Sequence, residues 1–312
     1  MLTQATIGDW LALAAVMLGA SLGDRMIFGK ASEATYKRDV GRSIFWIGVG
    51  VAFSTFVWFR HGRNNGLDYL TAYLIEKSLS VDNLFVFLVI FTYFKLTAAH
   101  QHRVLFWGIG GAIVMRAVFI LSGTALLQRF HWLMFVFGAF LVFTGGKLLF
   151  GGDDDIEPES NLALRFAKRF LRTTEELDGD RFFTKLKGQL HATRLFLVLV
   201  VVEFTDVVFA VDSVPAVLAI SQDVFIVYAS NIFAILGLRA LYFVLAGMMS
   251  RFAYLRYGLS AILIFIGIKM LIEDWFKFPN WASLTVISGV LVATTLVSVR
   301  YPPASKEAVV KE

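Results

Sequence analysis

LFLVLVVVEFTDVVFAVDSVPAVLAI, residues 195–220, is the stretch on which the fold turns. As a helix it reaches roughly 39 Å at 1.5 Å per residue, more than the about 30 Å of hydrocarbon in a bilayer. Its only ionisable residues are Glu203, Asp206 and Asp212. On insertion scales each such acid costs about 2.5–3.5 kcal/mol at the centre of a span, so three in one span imply partners or a task. Eight further apolar segments surround it, at roughly 8–24, 43–59, 67–94, 104–127, 132–150, 224–246, 254–272 and 281–299. The first reads as a span and not as a cleavable signal, because no basic residue precedes it and Asp24-Arg25 closes it. Over the whole 312 residues 57% are hydrophobic and only 17% charged, against about 25% charged in soluble domains. The expected fold is therefore all-α: a polytopic membrane protein with about nine transmembrane helices.

Composition also removes several chemistries. The chain has no cysteine, which excludes disulfides, thiolate metal ligands and dithiol redox chemistry from its own residues. A net charge of +5 would suit nucleic acid, but no Lys/Arg cluster is set beside stacking aromatics, so none is expected as a partner. No nucleophile–base arrangement or catalytic zinc motif is present, so the chain does not read as an enzyme.

Lysine and arginine fix an orientation. Twenty fall in the alternate loops 25–42, 95–103, 151–194, 251–256 and the tail, against four in the other set. The positive-inside rule then puts the N-terminus outside and the C-terminus in the cytoplasm. The one sizeable loop, 151–194, opens on the acidic run Asp153-Asp154-Asp155, which lacks EF-hand spacing and reads as a solvated face. Behind it, Arg165, Lys168, Arg169 and Arg172 oppose Leu162, Phe166 and Phe170, the pattern of an amphipathic helix on an anionic cytoplasmic leaflet.

A repeat is legible. Val81-Asp82-Asn83 recurs as Val211-Asp212-Ser213, with Glu76 and Asp206 six residues upstream of the aspartates. The following spans carry Arg116 and Arg239, and the next ones Lys147 and Lys269. Residues 67–150 and 195–272 thus read as two three-helix units. They lie between a two-helix region at 1–66, the loop at 151–194, and a final helix and tail at 273–312. The first unit starts outside and the second inside, so the copies are inverted, an arrangement used by secondary transporters with a substrate site at the midplane.

The intramembrane acids are Glu76, Asp82, Glu203, Asp206 and Asp212; Lys77, Arg116, Lys147, Arg239 and Lys269 are the bases. The four bases Arg116, Lys147, Arg239 and Lys269 read as structural ion pairs. Glu203 and Asp206 share a helix face, whereas a spacing of six turns about 240° around a helix. One face cannot present both acids of each copy, which points to a broken helix, with Pro215 as its cause. Together with Asn83 and Asn231 the acids make an all-oxygen donor set, suited to Mn²⁺, Mg²⁺ or Ca²⁺. His61, His100, His102, His131 and His191 all lie away from span centres.

YLIEKSLSVDNLFVF (73–87), VEFTDVVFAVDSVPAVLAI (202–220), SNIFAILGLRALYF (230–243) and YGLSAILIFIGIKML (257–271) resemble the TerC integral membrane family, particularly its Alx-type members. The resemblance covers nearly the whole chain. It implies a bacterial inner-membrane protein, and it marks Glu76, Asp82, Asn83, Glu203, Asp206 and Asp212 as metal-site residues, with Asp24 as a looser match. The family carries labels of tellurium resistance, redox modulation and manganese export. Manganese is chosen by the resemblance; the residues alone select a hard divalent cation. The expected function is Mn²⁺ export through the acidic site, with Mn²⁺ as the transported ion, protons exchanging at the same carboxylates and no permanently bound cofactor. The competing reading is a non-transporting scaffold or stress and redox modulator that recruits partners through residues 151–194. Oligomeric state is not legible.

Overall fold

A computed structural model describes residues 5–29, 36–130, 132–150, 172–174, 178–186, 188–246, 255–272, 274–276 and 279–300. Helices α1 (Ile7–Phe28), α2 (Tyr36–His61), α3 (Arg63–Tyr93), α4 (Ala98–Arg129) and α5 (Leu133–Phe150) come first. A hairpin of β1 (Phe183–Leu186) and β2 (Gln189–Ala192) follows. Then come α6 (Arg194–Leu218), α7 (Val224–Leu236), α8 (Leu238–Ala246), α9 (Leu255–Ile272) and α10 (Asn280–Arg300). The acidic run at 153–157 and all but the last residue of the basic amphipathic stretch at 162–172 lie outside the described residues.

By length and composition α1, α2, α4, α5 and α10 suffice to cross a membrane, and α7 with α8 makes a sixth if the bent pair is one span. Helices α3 and α6, of 31 and 25 residues, are long enough but carry the acids and bases identified above. Large apolar side chains such as Met26, Phe59, Phe143 and Phe150 stand exposed on the outside of the bundle. That is the surface a lipid-facing helix presents, where no water competes for the backbone.

Local rules explain the connections. A single residue, Gly62 at φ +91°, turns α2 into α3; this left-handed backbone is open to glycine at little cost. The hairpin was not anticipated in the 151–194 loop. Its strands pair antiparallel with Leu186 opposite Gln189, and Gly188 supplies a positive φ in the connecting turn. It runs straight into α6, where the Thr193 hydroxyl donates to the Arg181 carbonyl at 2.8 Å and pins the helix start.

Helix pairing follows a simple exchange: α3 packs on α7, α4 on α6, and α5 on α9, while α3 also touches α6. Helices α3 and α6 run antiparallel. Ala72, Ile75 and Leu79 early in α3 share a buried cluster with Val214, Val217 and Leu218 late in α6. Leu84, Phe87 and Phe91 share another with Leu195, Val198 and Val202. The α5–α9 contact is glycine-mediated: a Cβ on Gly138 would stand 2.9 Å from the Gly267 carbonyl oxygen, and one on Gly145 would stand 3.0 Å from the Ser260 carbonyl oxygen. Small residues of this kind let membrane helices approach backbone to backbone. Gly267→Leu should therefore wedge the pair apart, at a cost of about 1–3 kcal/mol or more for overpacking. Detergent-solubilised Gly267→Leu should melt lower and elute with aggregate, while Gly146→Leu, with nothing within 4 Å of its added Cβ, should not. Equal melting of the two variants would refute this contact as the source of stability.

The expected break at Pro215 is absent, since α6 runs through it. Pro215 sits in the last turn of α6, where few backbone hydrogen bonds remain to be lost. The bend lies instead at Gly237, where α7 and α8 meet at 42°. There the Lys77 ammonium donates to the Ala234 carbonyl at 3.1 Å. A Cβ on Gly237 would stand 2.9 Å from both Lys77 Nζ and Trp46 Cβ, so glycine makes room for the side chains that hold the bend.

Candidate functional site

The site is built around Arg116 of α4, one of the largest fully buried side chains, at 1% exposure. Its Nη1 donates to the Glu76 carboxylate of α3, to Ser213 Oγ of α6 at 3.0 Å and to Asn231 Oδ1 of α7 at 2.7 Å. Its Nη2 lies 3.7 Å from the Asp206 carboxylate of α6. Asn231 is aimed by its own helix, since its Nδ2 donates to the Val227 carbonyl one turn back at 3.1 Å. That leaves the amide oxygen for the guanidinium. Glu76 is wholly buried and its Oε2 finds no hydrogen-bond partner among the described residues. One guanidinium thus faces two carboxylates, in surroundings where unpaired charge is costly.

Glu203 lies one turn before Asp206 and is half-buried. Its carboxylate occupies the space that a Cβ on Gly111 of α4 would need. Glu203 and Asp206 also line a small cavity of about 20 Å³ beside Gly108 and Ala112, about the room of one water. Asn83, buried at 4% exposure, lines a second cavity of about 100 Å³ together with Thr144 of α5 and Ser213. Ser213 therefore touches both the Arg116 cluster and the Asn83 cavity. Its functional place was missed from sequence, although the repeat held the signal: Asn83 and Ser213 follow the matching aspartates Asp82 and Asp212.

The side chains of Asp82 and Asp212 lie outside the described set, but their places on the helices are given. Because α3 and α6 run antiparallel, a step of six from Glu76 to Asp82 and a step of six from Asp206 to Asp212 go in opposite directions. Ser213 is level with Glu76, through Arg116. Asp212 thus comes to the level of Glu76, and Asp82 to that of Asp206. The spacing of six needs no broken helix, because the acid positions of one copy fall at the levels of those of the other.

Other predicted residues lie elsewhere. Asp24 pairs with Arg42 at 3.1 Å, and Arg239 sits near them within electrostatic reach of Asp24 and Asp39. Lys269 donates to the Ala219 carbonyl beyond the end of α6 at 3.4 Å, whereas Lys147, expected as an intramembrane base, is exposed on α5. Arg239 therefore does not share the surroundings of Arg116. Among the described residues no three acids or histidines gather around one point as a closed metal cage. The arrangement sets two carboxylates against one internal guanidinium, with amide and hydroxyl oxygens around them.

A family model described as "Integral membrane protein TerC family" matches residues 61–306. The chain is 46% identical over 299 residues to "Uncharacterized membrane protein STKORF319" of Myxococcus xanthus, covering 95% of this chain and 93% of that protein. It is 44% identical over 301 residues to "Putative membrane-bound redox modulator Alx" of Escherichia coli K12, covering 93% of each. An "Uncharacterized membrane protein" of Rickettsia bellii is 38% identical over 292 residues, covering 93% of this chain and 97% of that protein. No solved structure matches.

Proposed function

Because the chain belongs to the TerC family of integral membrane proteins, we propose that it moves a divalent cation, manganese, out of the cytoplasm through the buried acids of α3 and α6. One observation carries this reading: Glu76 and Asp206, from different helices, share the single guanidinium of Arg116 in a water-poor core ringed by the oxygens of Ser213 and Asn231. Arg116 is the counter-charge that both carboxylates face when no ion is bound. A cation that draws Asp206 away from the guanidinium and toward Glu203 would find carboxylate, amide and hydroxyl oxygens, the donors that suit hard divalent ions.

The inverted repeat supports transport. Exchanging the two copies turns the α3–α7 pair into the α6–α4 pair, and it maps the Gly145–Ser260 contact onto Gly267–Gly138. In such folds one unit rocks against the other about a central site. With the N-terminus outside, the export path runs from the cytoplasmic ends of α3 and α4 toward the start of α3, in the bacterial inner membrane. Protons exchange at the carboxylates the ion vacates. The choice of manganese rests on the family resemblance. The redox-modulator name carried by relatives finds no thiol in this chain.

The deciding experiment is flux in proteoliposomes. Mn²⁺ uptake should saturate, should accelerate under an imposed proton gradient, and should be inhibited less by Zn²⁺ than by unlabelled Mn²⁺. Vesicles whose Mn²⁺ content follows that of protein-free controls would reject transport and leave the scaffold reading.

A further inference from the structure

A cavity of about 740 Å³ lies between α1, α2, α4 and α8, away from Arg116. Its polar lining includes Asp24 and Arg25 near the end of α1, Asp39 and Arg42 near the start of α2, and Arg239 of α8. Arg239 lies deeper, just past the bend between α7 and α8, whereas Asp24, Arg25, Asp39 and Arg42 fall near helix ends on one side of the bundle. For helices crossing a bilayer, that is the depth of the phosphate groups. Three guanidiniums face two carboxylates there. Arg42 is committed: its Nε donates to Asp24 Oδ1 at 3.1 Å and its Nη2 to the Gly29 carbonyl at 2.5 Å. Arg239 is half-buried, makes no hydrogen bond to a carboxylate among the described residues, and lies within electrostatic reach of Arg42. A further anion would relieve two like charges held close together.

Apart from Ser21 and His102 the rest of the wall is apolar, with Trp46, Leu236 and Phe243 in it. Phe106 and Trp107 of α4 also line it while remaining 60% and 54% exposed, so the cavity opens beside aromatic side chains on the outer surface of the bundle. Aromatic residues at this depth are those that sit at the headgroup boundary. A ligand that fits carries one compact anionic group for Arg239 and Arg25 and a long hydrocarbon part for the wall. A hydrated cation fits poorly beside three guanidiniums.

We propose that this cavity binds the phosphate headgroup of an anionic phospholipid, entering sideways from the bilayer between α1 and α4. Charge-assisted contacts from arginine to phosphate are directional and strong, and they give anionic lipids an advantage over zwitterionic ones. The site is independent of the transported ion.

The test uses the purified full chain in mild detergent, with native mass spectrometry and melting curves. Phosphatidylglycerol, phosphatidylethanolamine and inorganic phosphate are added in separate arms. Phosphatidylglycerol should bind about tenfold tighter than phosphatidylethanolamine and raise the melting temperature, with inorganic phosphate having little effect. Arg239→Gln should erase that preference by removing the charge. Gly110→Leu should erase it by filling the space: Gly110 lines the cavity, and a Cβ there meets nothing within 4 Å, so the variant keeps its fold. Arg60→Gln, beside Asp9 at the opposite end of the bundle, should keep the preference. Should Arg239→Gln misfold, Gly110→Leu decides alone. Equal retention of the two lipids overturns the proposal, as does a preference that survives Gly110→Leu. Inorganic phosphate stabilising as strongly as the lipid would assign a soluble anion and overturn it too.

Discussion

Arg116→Gln should collapse the yield of folded protein, more than any other single neutral substitution of an intramembrane base. The side chain is 1% exposed and supplies hydrogen bonds to three other helices. Without its charge, Glu76 and Asp206 remain as two buried carboxylates with no counter-ion. Breaking a buried ion pair by removing one partner costs about 3–5 kcal/mol, a large part of the stability of most folds. Arg116→Lys keeps the charge but not the planar fork that reaches Ser213 and Asn231 together with the acids, so an intermediate loss is expected. Arg116→Gln combined with Glu76→Gln should recover part of the yield, because the second change removes one of the stranded charges. Size-exclusion profiles and melting curves of the four proteins form a double-mutant cycle, and the coupling should exceed about 1 kcal/mol. Strictly additive losses would mean that Arg116 stabilises the bundle by packing and not by neutralising Glu76. A normally folded Arg116→Gln that no longer carries ions would make the arginine part of the transport step.

Why Arg116 holds this place and Arg239 does not was beyond a reading of the sequence. Both occur at matching points of the repeat, and periodicity treats them as equivalent. Their surroundings differ because α1 and α2 have no counterpart in the repeat, and these two helices bring Asp24, Asp39 and Arg42 to the Arg239 end only. An all-α membrane fold was legible, since runs of apolar residues long enough to cross a bilayer have few other uses, and five helices, or six with the bent α7–α8 pair, are such runs among the described residues. So was the set of intramembrane acids, because charge in such a run stands out. Which acid meets which base was not, since pairing depends on the rotation and depth of four separate helices. The bend shows the same limit. Pro215 carries the stronger local signal for a break, yet the helix bends at Gly237, where Lys77 and Trp46 press against a residue without a Cβ. The steric cause is contributed by other helices and leaves no mark in the local sequence.

The antiparallel run of α3 and α6 sharpens what neutralising Asp82 or Asp212 should do. The Glu76 to Asp82 step covers about 9 Å along a helix at 1.5 Å per residue, too far for one ion to touch both acids of a copy at once. Across the two helices the distances shorten, because Asp212 is level with Glu76 and Asp82 with Asp206. On the proposed function, an ion between the two helices would take charge from both copies at either level. Asp82→Asn or Asp212→Asn keeps the shape and one acceptor oxygen and removes one formal charge. At an effective dielectric near 20, two unit charges about 4 Å apart attract by about 4 kcal/mol, and a divalent ion doubles the gross term before desolvation is subtracted. Each variant should accordingly lose Mn²⁺ flux by at least about tenfold while its abundance in the membrane stays near that of the parent. The double variant should lose less than the product of the two, because the second charge is removed from a site that has already lost its ion. Flux measured with and without a proton gradient separates the two roles of a carboxylate. A residue that binds the ion loses flux under both conditions, and one that only carries protons loses the gradient-driven part. Parental Mn²⁺ flux in both single variants would remove the acids of the repeat from the ion path, and the transport reading with them.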